Sequence, residues 1–244
     1  MMFHAPQRLV APPDISINHT KIEFVDEFNF LGLVLDKNLS WKGHITTLSK
    51  KISKTIGILC RLRHTLPADA LLNIYNALIS SYFNYGITLW GWRSQTIFKL
   101  QKKAVRIITN SKFDAHTNIL FKQLKILKLE DICALHDCKL CYRFIKGPVP
   151  KYFQEIINPG ESLTRHDYNT RHASLLLLPA VRHEFARNGI KYKFTKLFND
   201  MQENFKTKIF THSFYGYKNY IKIKLLDNYD PNCLIPHCYI CNRN

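Results

Sequence analysis

Two groups of cysteines share the spacing C-x4-C-x2-C: Cys133, Cys138 and Cys141, then Cys233, Cys238 and Cys241. Thiolates at such spacings hold zinc when a loop lets them converge. The first group falls in a helical pattern, where about 100° per residue sets Cys133 and Cys138 about 140° apart. These three are expected to be buried thiols packing as small apolar side chains. The second group follows Pro231 and contains Pro236 and His237, so it is loop-like, and Cys238-Tyr239-Ile240-Cys241 has the tight spacing of a zinc knuckle. A fourth ligand is undefined, so no metal is favoured, and Cys233, Cys238 and Cys241 stand as the weaker candidates. No nucleophile elbow, P-loop or HExxH pattern appears, which speaks against a self-contained hydrolase or nucleotide-binding enzyme.

The second kind of chemistry is positive charge. Lys and Arg number 35 against 18 Asp and Glu, a formal charge of +17. A surplus of that size repels itself unless a polyanion offsets it, and nucleic acid is the usual polyanion. The cations are also organised. Lys50, Lys54 and Arg61 cluster on one side of a helical pattern, with Lys51 off to a flank; Lys99, Lys102, Lys103 and Arg106 fall within a sector of about 100° on another. Cations on rigid helices can contact phosphates, positioning a strand without reading its sequence. Tyr and Phe could stack on bases, but most fall on apolar stripes and are expected in the core.

These residues need elements to hold them. Residues 1–36 read as short extended runs ending in a strand over Phe30 to Leu35, broken by Asp36-Lys37-Asn38. Ser40 is a candidate cap for a helix from Trp41 to about Leu62, with Ile45, Leu48, Ile52, Ile56 and Leu59 as its apolar stripe. Pro67 and Asp69 suit the start of a second helix running through Leu71, Tyr75, Ile79 and Tyr82. Phe83 to Trp92 is expected as a buried bend or short extended piece. Ser94 is a candidate cap for a third helix to about Thr109. Two further helices are expected over 116–127 and 130–146, stopped by Gly147-Pro148-Val149-Pro150. After residue 160 a polar stretch from His166 to His172 precedes a strand-like run at Leu175–Leu178, then helices near 192–209 and 213–226. The fold class is therefore mainly α: short N-terminal strands, a helical bundle, and a smaller basic C-terminal helical region. With 46% hydrophobic residues, 9 Gly and 10 Pro, disordered, collagen-like and low-complexity readings are excluded. No run of about 18 apolar residues indicates a membrane span. Seven cysteines without an export signal suit reduced thiols, and the expected setting is intracellular, nuclear or cytoplasmic.

The order of several motifs resembles one family. Phe30-Leu31-Gly32-Leu33 followed by Asp36, Leu39, Trp41, His44 and Ile45 is similar to the segment just after the catalytic palm of non-LTR retrotransposon (LINE-like, jockey-type) reverse transcriptases. Leu78, Tyr85, Gly86, Trp90-Gly91 and the run from Leu100 to Ile108 resemble that family's thumb. Tyr168-Asn169-Thr170-Arg171, Pro179, Arg182, Gly189, Tyr192 and Phe198-Asn199 resemble its C-terminal extension.

The resemblance implies residual palm strands over 1–36, a helical thumb-like domain over 37–150 and a basic extension over 151–244. It implies that Phe30, Leu31 and Gly32 correspond to the primer grip, a turn holding the primer 3′ end. The implied partner is RNA or an RNA/DNA duplex, with no membrane, and with the palm and fingers of a longer polymerase as a further partner. The family's adjacent aspartate pair, which holds two metal ions about 4 Å apart, has no counterpart: the eleven aspartates are all isolated. Met2-Phe3-His4 would match the strand after that pair. No catalytic residue, no catalytic divalent metal and no polymerisation by this chain alone are therefore expected. Alternatives are a non-catalytic protein-interaction module and a zinc-binding regulator built on the C-terminal cysteines.

Overall fold

The computed structural model describes residues 1–3, 13–93, 95–156, 178–182, 184–187, 189–201 and 203–229. Its secondary structure is mainly helical, with two short antiparallel strand pairs at the N-terminal end. The chain divides into two compact units, 1–120 and 121–232, the boundary falling inside a helix.

In the first unit, β1 (Ser16–Ile17) pairs with β2 (Thr20–Lys21), and β3 (Glu27–Phe30) with β4 (Leu33–Asp36). The run expected as one strand over 30–35 is instead a hairpin. Phe30 pairs with Leu33, leaving the two-residue loop Leu31-Gly32 with φ of 48° and 80°. Positive φ at both positions is what a tight type I′ hairpin turn requires.

β4 leads directly into α1 (Lys42–Leu62). The cap expected of Ser40 is not made: the N-cap is Trp41, in the left-handed region at φ 62°, with no side-chain cap bond, and Asp36 instead gathers the turn before the helix. Its carboxylate accepts the backbone N–H groups of Asn38 (3.1 Å), Ser40 (2.9 Å) and Trp41 (2.9 Å) and the Ser40 hydroxyl (3.1 Å). Ser40 Oγ itself accepts only a long 3.4 Å bond from Lys42 N. The expected stripe Ile45, Leu48, Ile52, Ile56 and Leu59 is buried along its whole length.

Pro67 precedes α2 (Ala68–Tyr75), which continues through a π-helical turn (Asn76–Ser80) into α3 (Ser81–Phe83). The aromatic segment that follows is not extended. Gly86, at φ 64°, turns the chain into α4 (Ile87–Trp90) and a 3-10 turn (Gly91–Arg93). A Cβ at Gly86 would also sit 3.2 Å from Leu33 Cδ2, so the residue fits on conformation and on space. Phe83, Ile87 and Trp90 are buried there.

α5 (Gln95–Ile108) packs along α1. Between α2 and α5, Gln101 Nε2 donates to the Tyr75 hydroxyl at 2.9 Å, both side chains fully buried. Such a pair satisfies polar groups that would otherwise be stranded in the core.

α6 (Thr117–Gln123) crosses from the first unit into the second, which holds α7 (Leu129–Lys146), α8 (Lys151–Ile156), α9 (Glu184–Arg187), α10 (Ile190–Asp200), α11 (Glu203–Thr211) and α12 (Phe214–Asp227). The segment expected as one helix over 192–209 is two, because Met201 takes extended backbone (φ −70°, ψ 130°). Tyr142 ties this unit together: its ring lies against Phe214 and Tyr217, and its hydroxyl donates to the His212 carbonyl at 2.9 Å. The Tyr229 hydroxyl accepts the Lys128 N–H at 2.8 Å and donates to the Asp131 carboxylate, pinning the end of α12 to the start of α7. Among the described residues no helix is long and apolar enough to cross a membrane.

Candidate nucleic-acid interface

The hairpin tip is exposed. Phe30 is 54% and Leu31 73% accessible, and the Leu31 carbonyl is held from behind by the Tyr85 hydroxyl. Tyr85 is in turn fixed by Trp90, whose indole N–H donates to the Tyr85 carbonyl at 3.1 Å. Two apolar side chains therefore stand in solvent on a braced turn.

Behind the tip lies a cavity of about 390 Å3 lined in part by Asn29, Gly32, His44, Lys51, Tyr82 and Tyr85. The Lys51 ammonium is 5.8 Å from the centre of the Tyr82 ring. His44 Nδ1 accepts the Val34 N–H at 3.4 Å. Burial, and then the nearby Lys51 charge, lower the His44 pKa and favour the neutral acceptor form. Lys51, set aside on the sequence as a flanking cation, thus lines the cavity behind the tip together with Gly32 and Tyr85.

Lys50, Lys54 and Arg61 are exposed on α1, and among the described residues none has an ionic or hydrogen-bonding partner. The four cations expected as a ridge on α5 separate into two kinds. Lys99 and Lys103 are exposed and likewise without partners among the described residues. Lys102 is buried at 9% exposure, its ammonium 4.7 Å from the centre of the Phe98 ring. Arg106 is half-buried and its Nε donates to the Ala115 carbonyl at 3.0 Å, its pKa lowered chiefly by burial. The sequence places Ile97, Leu100, Ala104 and Ile108 on the apolar face; Leu100 is only half-buried, and the buried sector of α5 takes in Phe98, Gln101, Lys102 and Val105 as well, which accounts for the difference.

The cysteines of α7 behave as buried thiols. Cys138 and Cys141 are buried and Cys133 is half-buried. Burial is the main cause that pushes Cys133 and Cys138 up to about 12 and raises Cys141 as well, with the Asp137 carboxylate adding to all three. Such thiols stay protonated near neutrality. Among the described residues no group of His, Cys, Asp and Glu could hold a metal ion. Cys233, Cys238 and Cys241 lie outside the described residues, as do the polar stretch 166–172 and residues 175–177 of the strand-like run.

No family model matches the sequence, and no solved structure matches it. Curated proteins do. The RNA-directed DNA polymerase from mobile element jockey of Drosophila funebris is 28% identical over 126 residues, 49% of this chain and 14% of that protein. The probable RNA-directed DNA polymerase from transposon X-element of Drosophila melanogaster is 25% identical over 136 residues, 52% of this chain and 15% of its own length. The jockey polymerase of the same species is 26% identical over 126 residues. The matched stretch is therefore about one-seventh of each relative. The chain is related in sequence, over about half its length, to the RNA-directed DNA polymerases of jockey-type non-LTR retrotransposons.

Proposed function

We propose that this chain serves a retrotransposon reverse transcriptase by gripping RNA or a primer–template duplex, in the manner of a polymerase thumb, and that it does no phosphoryl transfer itself. The observation that carries this reading is a set of five exposed cations, Lys50, Lys54, Arg61, Lys99 and Lys103, on two helices packed side by side and without partners among the described residues. They share a unit with the braced apolar tip at Phe30, Leu31 and Gly32. Unpaired cations on rigid helices can release counterions from a phosphate backbone. Lys102 and Arg106 have a structural part in this reading, as supports of α5. The same reading takes residues 1–36 as palm-like strands, 37–150 as the thumb-like part and 151–244 as a basic extension. It supplies no pair of adjacent aspartates for a two-metal site.

Two measurements on the full chain test it. Affinity for a labelled RNA/DNA hybrid is expected to fall linearly on a log–log plot against salt. Lys99→Glu with Lys103→Glu is expected to flatten that line by about 1.8, at roughly 0.9 for each phosphate no longer neutralised. Incorporation of deoxynucleotides on a primed template is expected to be nil. Incorporation, or indifference to oligonucleotides at low salt, overturns the proposal.

A further inference from the structure

α1 and the first turn of α5 border an open groove of about 570 Å3, lined by Thr46, Ser49, Lys50, Ser53, Lys54 and Thr96 over Ile45. Hydroxyls and ammonium groups supply all of its polar side chains. Among the described residues no carboxylate lines it, and no aromatic ring. Lys50 and Lys54 stand about one helical turn apart, about 6 Å along the axis, and neither has a partner among the described residues. Thr96 sits at the positive end of the α5 dipole. Ser49 Oγ is buried with no hydrogen-bond partner, a polar atom the fold itself leaves unsatisfied.

We infer that this groove seats two successive phosphates of a nucleic-acid strand, Lys50 and Lys54 neutralising one each and the Ser53 and Thr96 hydroxyls donating to their oxygens. The inference rests on the nucleic-acid-binding reading above and places the backbone contact on the α1 side of the α1–α5 pair. Two cations one turn apart match a ligand whose charge repeats along a chain rather than a single small anion. The absence of any ring in the lining leaves nothing for a base to stack on, so the contact is with backbone and does not discriminate bases.

The experiment measures fluorescence anisotropy of the full chain with a 20-nucleotide oligo(U), a 20-nucleotide oligo(A) and a 20-base-pair RNA/DNA hybrid, across a salt series. Lys50→Gln with Lys54→Gln is expected to reduce the slope of log affinity on log salt by about 1.4 for the single strands and about 1.8 for the hybrid. At 0.1 M salt the first corresponds to about 25-fold weaker binding, taking equal affinity at 1 M. Thr96→Val is expected to weaken binding about threefold with the slope unchanged, since it removes a hydroxyl and no charge. Lys50→Arg with Lys54→Arg is expected to retain binding, because a guanidinium serves a phosphate at least as well. Lys50, Lys54 and Thr96 are exposed, and an unchanged circular dichroism spectrum and melting temperature establish that the variants fold.

A slope that survives the double glutamine variant while the parent still binds overturns the groove and leaves the broader reading standing. A parent that binds no oligonucleotide overturns both. Loss seen only on phosphatidylserine vesicles, with oligonucleotide binding intact, assigns the lysines to a lipid surface and overturns the inference. So does a tenfold difference between oligo(U) and oligo(A) that the double variant abolishes.

Discussion

In residues 1–120 Lys50, Lys54 and Arg61 of α1 and Lys99 and Lys103 of α5 stand in solvent without partners among the described residues, whereas in residues 121–229 many cations are laid over rings or bound to carbonyl and carboxylate oxygens. Lys128 lies 4.6 Å from the centre of Tyr229, Arg143 5.1 Å from Phe214, Lys206 5.1 Å from Phe198 and Lys208 5.6 Å from Tyr220. Lys146 Nζ donates to the Phe210 carbonyl at 2.6 Å, and Lys193 meets Asp137 at 3.4 Å. A cation over a ring gains from the ring's negative face and keeps its charge, but its position is fixed by the fold. A net charge of +17 is therefore no measure of how many phosphates the chain can meet. The six cations named in the second unit are held by rings or oxygens, while Lys50, Lys54, Arg61, Lys99 and Lys103 in the first have no partner among the described residues.

The comparison predicts opposite responses to substitution. The largest effect on folding is expected from Tyr229→Phe, which leaves the Lys128 N–H and the Asp131 carboxylate without their shared hydroxyl. A loss of about 1–3 kcal/mol is expected in denaturant unfolding, with oligonucleotide affinity of the folded chain unaltered. Next, Lys206→Gln removes a buried cation from the Phe198 ring and should cost about 0.5–2 kcal/mol, read as a lower melting temperature. Lys50→Gln should leave that temperature within error. Equal destabilisation by both, or none by either, would break the distinction between the units.

A pH dependence is expected as well, and in the second unit it centres on His136. Burial, with Lys139 and Lys218 adding to it, pushes His136 down to about 4. The unfolded chain then takes up a proton the folded chain refuses, so stability is intact above about pH 6.5 and declines as pH falls towards 4. His136→Gln should flatten that decline in thermal melts at pH 7, 5.5 and 4.5.

Legibility in the sequence followed the range of the interactions involved. The stripe from Ile45 to Leu59 was readable because a long amphipathic helix writes its buried face at spacings of three and four. The Leu31-Gly32 turn was hidden inside an apolar run, since leucine is not a residue that announces a type I′ turn. The break at Met201 has no proline or glycine to mark it. Burial of Lys102 was not legible either: a helical wheel gives angles, but how wide a sector the neighbours cover is decided by tertiary packing. For the same reason Lys50 and Lys54 were found as cations, whereas the groove they share with Thr96, some 42 residues further along the chain, exists only once α5 lies on α1. The hydroxyls at Thr46, Ser49 and Ser53, within four residues of the two lysines, were the one local trace of it.

The four donors gathered by Asp36 bind the end of the hairpin to the start of α1. That single carboxylate ties β4 to the start of the helix bearing Lys50 and Lys54. A strand touching both the Leu31 tip and the α1 groove would meet two contacts at a fixed separation. Its second engagement would be intramolecular, with an effective concentration set by geometry rather than by how much ligand is in solution.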